Sequence, residues 1–354
     1  MAQQKKILND VVYIRLLLII LLVLHHAFAI YSGAWVIPNG IHEVKVYKWI
    51  SLLSYSFMLE TFVFVSGYVF GYQIRNKFNS HVDFNTCVIK KAKRLMVPGI
   101  IFSTIYFICF NYNSSLEFSW GVAYNIIIGE GHLWFLPMLF LCFVSIFIFE
   151  KLKLSPKTSL ILAVLAALFS LGPLASLPFR ISSTLYYFFY FALGYYIQKS
   201  NKRFDTIIDK RSIIFLFCGY VVAFLIYQCI FNESVFFAHL HGSFAIDILE
   251  SFGRRFMKIA QALLGLFAIL GLVNYLLDKK IIRITSFTIK LSSYCFGVYI
   301  FQQFILKYIV NSSTFINVFG SILLPWVAFI IALSFSLLLT NLMLRSKLGR
   351  YLIG

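Results

Sequence analysis

The stretch Tyr13-Ile-Arg15-Leu-Leu-Leu-Ile-Ile-Leu-Leu-Val-Leu-His25-His26-Ala-Phe-Ala-Ile-Tyr31 decides the fold class. Apart from one guanidinium and two imidazoles it is apolar from end to end. A helix of about 20 such residues, rising 1.5 Å per residue, covers the roughly 30 Å hydrocarbon core of a bilayer. Ionisable residues inside a span are costly and demand a reason. Arg15 and His26 are eleven positions apart, nearly a whole number of turns at about 100° per residue, so they share one helix face roughly 16 Å apart along the axis. His25 points about 100° away. The periodicity therefore selects His26, rather than His25, as the partner of Arg15 in a site. The alternative is that Arg15 extends its stem to the cytoplasmic headgroups while the two histidines hydrogen-bond neighbouring helices.

Similar apolar runs recur along all 354 residues, of which 60% are hydrophobic and 12% charged, with 40 Phe and 21 Tyr. No soluble core needs so much apolar surface, and the mean hydropathy of +0.85 agrees. The expected class is an all-α polytopic membrane protein with about ten transmembrane helices, over 11–31, 50–73, 95–112, 132–150, 158–175, 183–198, 213–231, 255–277, 291–311 and 320–343. Most of the 31 Lys and Arg fall at the N-terminus and in segments 74–94, 151–157, 199–212, 279–290 and 344–354, whereas 113–131, 232–252 and 312–319 contain none. By the positive-inside rule both termini are cytoplasmic, and the multi-pass chain belongs in the cell (cytoplasmic) membrane. The formal charge of +18 is thus a topology signal. The basic residues form no stripe or recognition motif, which argues against nucleic acid as a partner.

The six cysteines are scattered without metal-like spacing, so neither a disulfide framework nor a metal site is expected. The first span lacks a small-residue cleavage site and is read as a retained helix. No repeat, soluble domain or low-complexity linker interrupts the chain, and residues 1–354 are taken as a single membrane domain. The segment 113–131 is where a short interfacial or re-entrant element is expected.

Five pieces of the sequence carry a resemblance: Arg15-x10-His26 in the first span, Phe64-Val-Ser-Gly-Tyr68 closing the second, Lys91-Ala-Lys-Arg-Leu-Met-Val-Pro98 opening the third, Gly131-His-Leu-Trp-Phe-Leu136 opening the fourth, and Ser293-Tyr-Cys-Phe-Gly-Val-Tyr299 in the ninth. In order and spacing the chain resembles the acyltransferase-3 family, integral membrane enzymes that acylate carbohydrates. The resemblance implies a ten-helix core, a cytoplasmic acyl-CoA donor with acetyl-CoA expected, and a surface or extracytoplasmic glycan as acceptor. Two positions depart from the pattern. Lys91 stands where many members have the first Arg of an Arg-x-x-Arg pair, which keeps the charge and loses bidentate geometry. Gln302 stands where many have His after Tyr299, so that position is left with hydrogen bonding alone.

Acyl transfer from a thioester to a hydroxyl needs a base or nucleophile, a site for the anionic donor, and stabilisation of charge on the carbonyl oxygen. His26 suits the first task, as base or as nucleophile. Arg15, Lys91 and Arg94, near the cytoplasmic ends of spans one and three, are placed to pair with CoA phosphates, or to act as ordinary membrane anchors. Glu60 is the one carboxylate well inside a predicted span. It is expected either to orient His26 or contact the acceptor, or to be a protonated or Lys-paired carboxyl. His132 and Trp134 suit hydrogen bonding and stacking with a sugar, and Tyr299 and Gln302 complete the candidate acceptor contacts. Lys45, Lys48, Arg254, Arg255 and Lys258 break the positive-inside rule, with Glu43, Asp247 and Glu250 as expected partners or an acidic or pyrophosphate-bearing glycan as the alternative. The competing class is a membrane transporter or flippase of a glycan, which broken helices at matching positions in two halves would favour; none is visible. Acyl group, acceptor and oligomeric state are not fixed by the sequence.

Overall fold

A computed structural model describes residues 2–77, 84–111, 119–170, 177–200, 210–232 and 244–354. The described residues are overwhelmingly helical, and no strand occurs among them. The chain divides into two compact units: residues 1–58 with 276–354, and residues 59–275.

The first unit contains α1 (Ala2–Ala27), α2 (Lys45–Tyr55), α11 (Ser286–Asn311), α12 (Ser313–Met343) and α13 (Lys347–Ile353). α1 packs on α2, α11 and α12, and α11 lies along α12. The buried stripe of α1 runs Val11, Ile14, Leu18, Leu22, a three-to-four-residue repeat that continues into His25. α11 begins with a capping box in which Thr285 and Thr288 each satisfy the other's backbone N–H. At Gly297 a side chain would collide with Thr340, so the glycine sets the approach of α11 to α12. Gly320, with φ of 57°, breaks α12, and this break coincides with the expected start of the last span at 320.

The second unit contains α3 (Met58–Lys77), α4 (Phe84–Phe110), α5 (Trp120–Ile128), a 3-10 turn at Gly131–Trp134, α6 (Phe135–Lys151), α7 (Pro156–Phe169), α8 (Ile181–Lys199), α9 (Lys210–Ile226) with a π-helical end at Tyr227–Asn232, and α10 (Phe244–Asp278). α4 packs on α5 and α6, and α8 on α6 and α7. α3 and α8 touch backbone to backbone. A Cβ at Gly67 would overlap the Phe191 carbonyl, one at Gly71 the Tyr195 carbonyl, and one at Gly194 the Phe64 carbonyl. Gly67-x-x-x-Gly71 is thus the small-residue seam of a close helix crossing. Numbers rise together along it, so the two helices run parallel, as the second and sixth spans of an alternating bundle must.

Seven helical stretches among the described residues are long and apolar enough to cross a membrane. Of the ten expected spans, those matching α7, α8 and α11 fall outside the seven. α7 is apolar but has 14 residues. α8 and α11 have the length but carry Tyr, Ser and Gln on their buried faces, including Tyr186, Tyr190, Gln198, Ser292, Gln302 and Gln303. The second expected span, 50–73, is two helices. Ser54 and Ser56 bond back to Ile50, Ser51 and Leu53 carbonyls, which competes with the helical ladder and ends α2. α4 starts eleven residues before the expected 95, so Lys91 and Arg94 stand on helix rather than in a loop. α5 occupies the segment read as interfacial; residues 113–118 of it, 112 of the third span, 171–175 of the fifth span, 201–209 and 233–243 lie outside the described residues.

Candidate functional site

In the first unit, helical periodicity has separated the two adjacent histidines. His25 is buried, and its Nδ1 lies 3.0 Å from the Ser51 carbonyl and 2.9 Å from the Ser51 hydroxyl. Its ring stacks on Tyr55 at 4.3 Å, so it is a packing residue against α2. His26 is half-buried and turned to α11, where its Nδ1 is 3.0 Å from Gln302 Oε1. An amide oxygen can only accept, so Nδ1 carries the proton and Nε2 the lone pair. The ring lies parallel to Trp35, with centroids 5.9 Å apart and an interplanar angle of 11°. Lys307 Nζ sits 4.4 Å from the centroid of the same indole. Gln302 is itself fully buried, which fixes the position of its amide.

Arg15, half-buried, acts electrostatically on Cys295 of α11. Cys295 and Gln302 are two turns apart on α11, and Arg15 and His26 three turns apart on α1, so both members of the pair address one neighbouring helix and the two helices run parallel. Tyr299, between Cys295 and Gln302, is buried beside Phe296. Above the site the Tyr31 hydroxyl donates to the Ser321 carbonyl.

In the second unit, Glu60 is 2% exposed on α3 and its Oε1 accepts from the Tyr186 hydroxyl at 2.9 Å. Tyr190 extends this contact at 3.3 Å. Lys258 and Arg255 of α10 are the cations acting on the carboxyl. Glu60 thus has cations in electrostatic reach, while its hydrogen bond goes to Tyr186. Of the cations that break the positive-inside rule, Arg254 pairs with Glu250 at 2.5 Å, while the side chain of Asp247 lies outside the described residues.

Lys91 and Arg94 differ in setting. The Lys91 ammonium lies 4.2 Å from the Phe143 ring centroid and 5.0 Å from that of Phe70, a cation–π seat between α3 and α6. Arg94 is exposed, one turn further on.

The Gly129-to-Trp134 corner is built by backbone geometry. Gly129 and Gly131 have φ of 89° and 54°, in the left-handed region that favours glycine, and a side chain at Gly131 would strike Tyr106. Arg180 donates to the carbonyls of Ile128 and Gly129 and lies 5.9 Å from the Trp134 ring centroid. Glu130 accepts from Asn111 at 3.1 Å. Burial pushes its carboxyl above the usual range, with Arg180 acting in the opposite direction. His132 is buried against Tyr106, and Trp134 lies 5.9 Å from Tyr187.

The structure thus brings together Arg15, His26, Tyr299 and Gln302 on one helix pair, and sets Glu60, Lys91 and the His132–Trp134 corner at separate places in the second unit. Sequence reasoning missed Trp35, Lys307, Tyr186 and Arg180. Lys307 had a signal, an ammonium inside the ninth expected span. Trp35 and Arg180 had none, because both act through loop backbone.

A family model described as an acyltransferase domain, that of the acyltransferase-3 family, matches residues 8–345, nearly the whole chain. Neither a curated protein nor a solved structure matches it.

Proposed function

We infer the reaction from a premise that the comparison settles: the chain belongs to the acyltransferase-3 family. It is a membrane acyltransferase, and we propose that it moves an acyl group, acetyl in the first instance, from acyl-CoA to a hydroxyl of a cell-surface polysaccharide or its lipid-linked precursor. The observation that carries the chemistry is the Nδ1–H of His26 held by Gln302 Oε1 at 3.0 Å. It leaves Nε2 as the basic atom of an imidazole oriented from both sides, by Gln302 and by the face of Trp35.

In the proposed step, His26 Nε2 takes the proton of the acceptor hydroxyl as its oxygen attacks the thioester carbonyl. The tetrahedral intermediate then collapses with cleavage of the C–S bond. The imidazolium returns its proton to the departing CoA thiolate, so the histidine is neutral again at the end of the cycle. Arg15 is proposed for the donor phosphates or for charge on the carbonyl oxygen, and Lys91 and Arg94 for the donor phosphates. Glu60, His132, Trp134 and Tyr299 are proposed on the acceptor side.

The test is mass spectrometry of surface glycans from cells with and without the protein, together with label transfer from acetyl-CoA in isolated membranes. Loss of one ester from an otherwise complete glycan is expected. Disappearance of the entire glycan, with no label transfer, would point to transport instead.

A further inference from the structure

Among the described residues, the second unit holds more half-buried cation than carboxylate at one place. Arg255 and Lys258 both lie over the ring of Tyr186, 4.4 Å and 5.2 Å from its centroid. The carboxylate acting on them, Glu60, already has Oε1 engaged by the Tyr186 hydroxyl. The neighbouring cation, Arg254, is matched by Glu250 one turn away. With that pair set aside, two cations on a helix apolar enough to cross a membrane face one carboxylate, Glu60 of α3, among the described residues. Two atoms there, Arg255 Nε and Glu60 Oε2, are buried without a hydrogen-bond partner among the described residues.

One carboxylate can offset at most one of two cations. Among the described residues the other has no carboxylate of its own, and charge in an apolar setting is costly and marks function more often than stability. A guanidinium N–H with no acceptor is a donor awaiting one. The π-helical stretch Tyr227–Asn232 turns toward the same place, with Tyr227 in electrostatic contact with Arg254 and Arg255. Such local widening of a helix re-aims side chains and occurs often at functional sites.

We propose that Arg255 and Lys258 form an anion-binding subsite, and that the acceptor of acyl transfer carries the negatively charged group, a phosphate or a carboxylate, that docks there. Arg255 supplies a planar donor fork, Lys258 a point charge, and the Tyr186 ring the wall between them. Glu60, when ionised, offsets part of this positive charge, so an acceptor anion can still leave after reaction. Only the assignment of the anion to the acceptor rests on the acyl-transfer reading; the subsite itself does not.

The test uses the full chain in nanodiscs of neutral lipid, with binding read by calorimetry at physiological salt. The probes are farnesyl pyrophosphate, inorganic pyrophosphate and glucuronate, with CoA as the comparison. Saturable binding of at least one of the three is expected, weakened tenfold or more in Arg255→Gln and in Lys258→Gln while CoA binding is unchanged. Preference for farnesyl pyrophosphate identifies a lipid-linked acceptor, and preference for glucuronate an acidic sugar. Failure of all three probes to bind the wild type, or equal binding by wild type and both variants, overturns the proposal. So does loss of CoA affinity with the three probes unaffected, which would give the cations to the donor. Should the Gln variants not fold, Arg255→Lys keeps the charge and loses the planar fork, so weaker probe binding is expected and unchanged probe affinity overturns the proposal equally. Anion binding without any acyl transfer would strike the proposed reaction and leave the subsite standing; acylation without anion binding would do the reverse.

Discussion

The two adjacent imidazoles are the sharpest contrast at the residue scale. His25 spends its Nδ1 on Ser51 and its face on Tyr55, whereas His26 faces Gln302 and Trp35. His26→Ala is expected to lower acyl transfer by a factor of about 100 or more, with insertion and acyl-CoA binding retained, as loss of a general base does. His25→Ala is expected to keep most of the activity at matched expression. Equal losses in the two variants, measured by label transfer in membranes, would show that the assignment is wrong. Gln302 gives a second contrast. Gln302→Leu removes the acceptor that fixes the His26 tautomer and is expected to cost about tenfold or more in rate. Gln302→His, which installs the residue many relatives carry, is expected to stay within a few-fold of wild type. At the donor end, Arg94 is exposed while Lys91 is seated over two phenylalanine rings. Arg94→Ala is therefore expected to weaken acyl-CoA binding about tenfold, the worth of one charged hydrogen bond, without loss of fold. Unchanged donor affinity would reduce Arg94 to a membrane anchor.

Elements in this protein are placed by small residues as much as by apolar bulk. The seam of α3 and α8 depends on Gly67, Gly71 and Gly194, and it sets Glu60 opposite Tyr186 two turns away. Gly67→Val would force the backbones apart, a change of the overpacking kind worth about 1–3 kcal/mol. A clear fall in melting temperature and in detergent-extracted yield is expected; a stable variant would mean the crossing can relax at no cost. The spacing Gly67-x-x-x-Gly71 is a signal of this seam that sequence reasoning missed, and its partner helix has no signal of its own in the sequence. The common face of Arg15 and His26 was likewise legible, because it follows from one helix and its period. The identity of the facing residue was partly legible: Gln302 was singled out as a hydrogen-bonding position, but its bond to His26 joins residues 276 positions apart. Trp35 and Arg180 could not be read at all, since a positive φ at Arg180 and a turn after α1 decide where they point. α8 and α11 were legible as apolar runs at 183–198 and 291–311, although the polar side chains on their buried faces leave them outside the seven stretches apolar enough by composition to cross a membrane.

For the molecule as a whole, the distribution of basic residues gives a topology that the helix directions can be tested against. α1 and α11 run parallel, as the first and ninth of ten alternating spans must, and α3 and α8 run parallel, as the second and sixth must. The members of each pair share parity, so an odd number of spans separates them whichever way the chain enters the membrane. The absolute direction comes from charge. Segments 199–212 and 279–290 are rich in Lys and Arg, whereas 113–131 and 232–252 have none, and translocating the former is disfavoured. Both termini and the segment 199–212 are accordingly expected on the cytoplasmic side, with 113–131 and 232–252 outside. Single cysteines introduced into a background lacking Cys87, Cys109, Cys142, Cys218, Cys229 and Cys295 provide the measurement, using a membrane-impermeant maleimide on intact cells. Labelling at 232–252 and protection at 199–212 until the cells are opened is the expected pattern. The opposite pattern would invert the bundle, move Arg15 to the outer surface, and remove the cytoplasmic route by which CoA phosphates reach it.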